Sequence, residues 1–172
     1  MDGILENFSM KLHQNLKNHI LVARFTLIVT FILFLLWKFF FNYDIDFFLT
    51  VGLFHIIFTI PSIYLHFEYF LKNYKENIEL TNDKLIICKN GKIFKFATSD
   101  FLRVILYKSA SLENRGIPFS AMEYYNYIRI ILKTKEEIII SCLFANDLEV
   151  VLLENGIEYE RKKRFFCSIY WK

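Results

Sequence analysis

The chain has 172 residues, 55% of them hydrophobic and 23% charged, with a formal net charge of +3. That apolar content exceeds what one small soluble domain needs for its core, and so modest a charge excludes a general nucleic-acid binder, so any basic surface must be local. Five Gly and two Pro exclude glycine-rich phosphate loops and proline-rich linkers, and three cysteines without a C-x-x-C exclude a disulfide framework or a zinc knuckle. Cys88, Cys142 and Cys167 read as free packing thiols in a reducing compartment.

In chain order, Ile4, Leu5, Phe8, Leu12, Leu16 and Ile20 recur at spacings of three and four among polar residues. That period predicts a short helix lying either in a membrane interface or on the chain's own soluble domain. The Asn7-Phe8-Ser9 triplet fits a glycosylation acceptor but is incidental at a cytoplasmic N-terminus. Residues 20–41 then predict a first membrane span, with Arg24 and Lys38 near its ends snorkelling to opposite interfaces. Phe47 to Leu65 carries no formal charge and predicts a second span, taken to about residue 68. The link Asn42-Tyr43-Asp44-Ile45-Asp46 is too short for a domain, so the two spans form a helical hairpin.

Lys11, Lys17 and Arg24 precede the first span, Lys72 and Lys75 follow the second, and the link has no base. Both termini are therefore expected in the cytoplasm, of a bacterial plasma membrane, with no cleaved signal peptide. His55 and Pro61 fall inside the second span: an ionisable group there is a functional candidate, set against a neutral histidine bonding its neighbour helix and a proline that kinks. His66 and Glu68 fall near the interface, where charge costs little.

After Lys72 the hydrophobic period shortens to two, dividing the chain into an anchor, residues 1–72, and a β-rich cytoplasmic domain, residues 73–172. Strands are predicted at Ile78 to Thr81, Lys84 to Lys89 and Lys92 to Phe96, the last two joined by the Asn90-Gly91 hairpin signal. Further strands are expected at Leu102 to Lys108, Tyr125 to Lys133 and Glu136 to Cys142. Asn146-Asp147 and Gly156 bracket a helix over Asp147 to Asn155, and Ile157 to Lys162 is a last extended segment.

The order of a hairpin, short strands and one late helix, with TNDKLIICKNGKIFKF, YKSASLENRGIPF, MEYYNYIRI, IIISCLFANDLEVVL and YERKKRFF, resembles the bacterial membrane-anchored pleckstrin-homology-like proteins over roughly residues 73–166. The resemblance implies an α+β chain whose soluble part is a seven-stranded bent β-sandwich or partly open barrel closed by the helix. It implies no enzymatic activity. Many eukaryotic relatives of that fold bind phosphoinositides through bases in the first hairpin loop, but here that loop reads Thr81-Asn82-Asp83-Lys84, a poor cradle for phosphates.

Two segments carry candidate sites. Arg161, Lys162, Lys163 and Arg164, followed by Phe165 and Phe166 with Tyr170 and Trp171 beyond, combine cations for anionic headgroups with rings for the interface. Four bases could together contribute roughly 4 kcal/mol, about half that if not all reach the surface. The alternative is a solvated charge run. The loop from Ser109 to Tyr124 is the candidate partner site, through Lys108, Ser109, Ser111 and Arg115, against a plain exposed connection. No paired carboxylates, nucleophile with base, or metal-ligand cluster assembles, so no catalytic residue, cofactor or metal is expected, and Asp44-Ile45-Asp46 is too confined in its turn to hold a metal. The expected function is a non-enzymatic membrane-anchored module for a protein partner, a lipid headgroup or its own oligomerisation, with no nucleic acid. The competing reading is a small transport or stress-response accessory protein whose hairpin is the active part.

Overall fold

The structure, a computed structural model, describes residues 10–41, 44–113 and 121–171. It opens with strand β1 (Met10–His13) and two long helices, α1 (Leu16–Phe39) and α2 (Ile45–Lys72). Each helix starts on an Asx cap: the Asn15 side chain accepts from Asn18 N–H at 2.9 Å, and Asp44 Oδ1 from Phe47 N–H at 3.0 Å. At 24 and 28 residues both are long and apolar enough to cross a bilayer. Leu27, Phe31, Leu49, Leu53 and Ile57 point outward along them. Trp37 Nε1–H donates to Asp44 O at 3.0 Å, and the Phe41 and Phe47 rings stack at 3.7 Å, which ties the two helices at the turn.

Beyond α2 come β2 (Glu76–Leu80), β3 (Lys84–Lys89), β4 (Lys92–Ala97), β5 (Phe101–Lys108), the single turn α3 (Ala110–Glu113), β6 (Tyr127–Leu132), β7 (Glu137–Ser141), α4 (Leu148–Glu154) and β8 (Glu160–Lys163). Local chemistry explains the joints. Asn90 and Gly91 both take positive φ, 51° and 75°, as a two-residue hairpin turn requires. Asp147 Oδ1 caps α4 by accepting from Glu149 and Val150 N–H, and Gly156 at φ 60° ends it.

The strands form two four-stranded sheets, ordered β1-β2-β3-β4 and β7-β6-β5-β8, in which every pairing is antiparallel except β5 with β8. The sheets are not closed into a barrel, and there are eight strands among the described residues where seven were expected. Leu80, Leu85, Leu106, Ile128, Ile140 and Leu152 fill the core and are fully buried.

The added strand corrects the helix expected from Ile4 to Ile20. Residues 10–13 run antiparallel to β2, and the register sets Leu12 opposite Ile78, so that both side chains enter the core. A three-to-four spacing shared by Leu12, Leu16 and Ile20 is real, yet pairing with a ready sheet edge overrides it, and helix begins only after the Asn15 cap. Residues 4, 5 and 8 lie outside the described segments. The core also reaches back into the hairpin, because Leu65 and Tyr69 of α2 are fully buried in it. The boundary expected after Lys72 therefore has core residues on both sides.

Candidate functional site

Parallel pairing of β8 with β5 sets Lys163 opposite Lys108, and Arg164 N–H continues the ladder to Lys108 O at 2.9 Å. Two segments more than fifty positions apart in sequence thus end side by side. Between them lies a pocket of about 320 Å³ lined by Ser109, Ser111, Glu123, Lys163, Arg164 and Phe165. Ser109 Oγ–H donates to Glu123 O at 2.9 Å and accepts from Leu112 N–H at 3.2 Å, and Ser111 Oγ–H donates to Glu123 Oε2. Both hydroxyls therefore hold α3 against the turn Ala121–Tyr124. Arg115 lies outside the described residues.

The bases of this edge are not equivalent. Lys108 Nζ reaches Glu149 Oε2 at 2.5 Å, and Arg161 pairs with Glu149 and approaches Glu113 at 4.0 Å. Partial burial would raise the Glu149 carboxyl, but hydrogen bonds from Lys108 and from Tyr159 Oη, with the charges of Lys108 and Arg161, outweigh it and hold the pKa at about 2. Arg164 stacks over the Tyr107 ring at 4.5 Å and donates to the Trp171 carbonyl. Lys162 and Lys163 are exposed and have no ion-pair partner among the described residues. The run of four bases resolves into two tied arginines, Lys162 near enough to Glu160 to favour its charge, and Lys163 with no ion pair among the described residues.

The C-terminal tail is bolted to α2. Glu68 Oε1 accepts from Ser168 Oγ–H at 2.8 Å, Ile169 N–H at 3.0 Å and Tyr170 N–H at 3.2 Å, while Tyr69 Oη–H donates to Cys167 O at 2.6 Å. Arg129, nearly buried, donates to Ile169 O at 2.6 Å. These bonds carry Phe166 onto Tyr64 of α2, ring centroids 6.0 Å apart, with the Trp171 ring edge-on to Phe166 at 5.6 Å. Phe165, Tyr170 and Trp171 remain exposed beside them. On α1, Arg24 lies over the Tyr124 ring at 5.2 Å.

One level further into the soluble part, a polar brace joins the helices to the sheets. His19 Nδ1 and His66 Nε2 are 3.0 Å apart, His66 Nδ1 is 3.1 Å from Tyr125 Oη, and Asn18 Nδ2–H donates to Leu143 O at 3.1 Å. Sequence reasoning missed this brace and the role of Glu68. The only available signal was polar groups placed at one helical spacing near the ends of otherwise apolar helices.

The remaining candidates are local. His55 meets Thr30 at 2.8 Å halfway along the hairpin. The first hairpin loop satisfies itself, Thr81 Oγ–H donating toward Asp83 Oδ1 at 2.9 Å and accepting from Lys84 N–H at 3.2 Å. Burial pushes the thiols of Cys142 and Cys167 up to about 12, and no disulfide joins the three cysteines. Among the described residues no group of three or more His, Cys, Asp and Glu could hold a metal ion.

A family model described as a PH domain matches residues 7–151, from before β1 through the helical hairpin and β7 into α4. The tail with Arg161 to Phe166 lies beyond that match. No curated protein and no solved structure matches the chain.

Proposed function

The chain belongs to the PH domain family, and from that premise we propose a membrane-anchored, non-enzymatic module whose basic and aromatic edge meets anionic lipid headgroups at the cytoplasmic face. PH domains are generally binding modules without catalysis and commonly bind proteins or lipids. The observation that carries the lipid reading is the stack of Phe166 on Tyr64. From Asp44 to Tyr64 is twenty helical steps, about 30 Å, the thickness of a bilayer's hydrocarbon. Trp37, Phe41, Phe47 and Phe48 gather at one end of that length, and Tyr64, Phe166 and Trp171 at the other, as interfacial aromatic belts do. At the second belt the exposed Lys162 and Lys163 would face headgroups. Two such bases contribute about 2 kcal/mol, half of what the run of four promised.

Tryptophan fluorescence of the full chain in nanodiscs tests this, with Trp37→Phe leaving Trp171 as the reporter. Emission should move to shorter wavelength in anionic relative to zwitterionic lipid, and the difference should shrink with salt and in the Lys162→Gln, Lys163→Gln variant. Emission indifferent to lipid charge would sink the reading. The orientation has its own check: a cysteine at position 42, in a chain without the native cysteines, should react with an impermeant thiol reagent added to intact cells.

A second reading makes the hairpin the working part, because His55 sits with Thr30 near mid-span. His55→Leu, which leaves the shared core of Leu65 and Tyr69 in place, should abolish function on that reading and spare it on the first.

A further inference from the structure

Facing stretches of α1 and α2 do not close on each other. A cleft of about 440 Å³ opens between them, walled by Phe25, Val29, Val51, Phe54 and Phe58 and closed above by Ala121. That volume lies within the roughly 300–1,000 Å³ of small-ligand sites. Of its polar lining, Thr59 Oγ–H donates to His55 O at 2.7 Å and His55 Nε2 lies 2.8 Å from Thr30 Oγ, so both are engaged. Apart from these, Thr26 and Thr50, the wall is apolar.

Ala121 caps this cleft, and Glu123, in the same 3-10 turn, lines the pocket that holds Lys163 and Arg164. At about 2 Å of rise per residue, some 4 Å of backbone separates the residue that caps the apolar cleft from the one that lines the basic pocket. An apolar slot at membrane depth, opening beside two cations at the aromatic belt, is the shape and polarity of one amphiphile. We infer that the chain holds a single anionic glycerophospholipid, with one acyl chain between α1 and α2 and its phosphate against Lys163 and Arg164. This rests on the membrane reading above.

Charge complementarity favours a lipid over a second copy of the helices, which would bring no anion to Lys163. Lys163 Nζ has no partner among the described residues, and Arg164 bonds the tail only through Nη1, which leaves Nε and Nη2 for a phosphate. Glu123 also lines this pocket, but its Oε2 already takes the Ser111 hydroxyl, and a phosphate there must seat on Lys163 and Arg164. Ordinary solvating lipid would instead cover the outward residues Leu27, Phe31, Leu53 and Ile57 as readily.

Native mass spectrometry of the full chain, released from nanodiscs of phosphatidylglycerol and phosphatidylcholine, should find one phosphatidylglycerol retained per chain. Lys163→Gln should lower the preference for phosphatidylglycerol about fivefold, and Val29→Trp, which fills the cleft, should abolish retention. A phosphatidylglycerol with a photoreactive acyl chain should label Phe25, Val29 and Val51 of the unmodified chain more than Leu27, Phe31 and Leu53, which requires no variant to fold. Equal labelling of both faces, no retained lipid, or a retained second chain displaced by Val29→Trp would overturn the inference. The Trp171 response to lipid charge, read in a Trp37→Phe, Val29→Phe chain so that Trp171 stays the sole tryptophan, should survive; if that response is absent from the parent chain as well, the membrane reading itself has failed.

Discussion

Along one helix, α2, residues 45–63 turn Leu49, Leu53, Ile56 and Ile60 outward, whereas residues 65–72 bury Leu65 and Tyr69 completely and hide Glu68. Apolar content alone does not separate the two halves, since Phe and Leu are abundant in both. What separates them is company. The first half lies along α1 with most of its large side chains turned outward, and the second sinks Leu65 and Tyr69 into the core and holds the tail through Glu68, so one helix faces outward below Tyr64 and is a core element above it. A hairpin that shares its domain's core transmits its orientation to that domain, which a flexible linker cannot do.

The largest test of this contrast is truncation of side chains on either side of Tyr64. Leu65→Ala should cost about 2–5 kcal/mol in denaturant unfolding of the detergent-solubilised chain, because it empties a packed site. Leu53→Ala, on the outward face, should stay within about 0.5 kcal/mol. Equal losses would erase the distinction between the halves.

Next in size is Glu68→Ala, which strips three donors of their acceptor and should cost about 1–3 kcal/mol. The loss should be read as early proteolysis within Cys167 to Trp171, with the rest of the chain cleaved later. Simultaneous cleavage everywhere would mean that the tail is not separately held.

Acid supplies a third probe, aimed at the charge network instead of the helix. The Glu149 pKa, about 2 in the fold against an ordinary 4.5, is depressed. Its contribution is complete above the unfolded value and fades as pH falls from about 4.5 to 2. Melting temperature should therefore drop across that window, and less in Glu149→Gln, which starts lower and lacks the titration. Parallel curves would remove Glu149 from the account.

The smallest effect belongs to the thiols. Cys142 and Cys167, raised by burial to about 12 from 9, favour the fold below pH 9 and lose that contribution as pH climbs through the folded value. At pH 8, alkylation of the folded chain should reach half-exposed Cys88 and spare the other two until the chain is unfolded. Rapid modification of Cys167 would show the tail detaching from Tyr69.

Most elements were legible because their signals are local. β3 runs over Lys84–Lys89 as the hairpin signal at Asn90-Gly91 requires, and α4 lies between its Asp147 cap and Gly156. β1 was not legible, since four residues ahead of a helix show no strand period of their own and become a strand only through β2. The candidate site divides the same way. Bases and rings were visible as types, but the sorting of Arg161, which meets Glu149, from its neighbour Lys162 depends on which side of β8 faces α4.

By itself the sequence determined the two long apolar helices, the change to β structure after Lys72 and the positions of turns and caps, because each depends on residues within one or two turns of one another. Only the tertiary structure decided that the tail returns to α2 through Glu68, that β8 lies parallel to β5, and that the cleft and the basic pocket share one turn. Those are contacts between residues up to about a hundred positions apart. Their stability comes from burying groups that carry no mark in the sequence of who their partner will be.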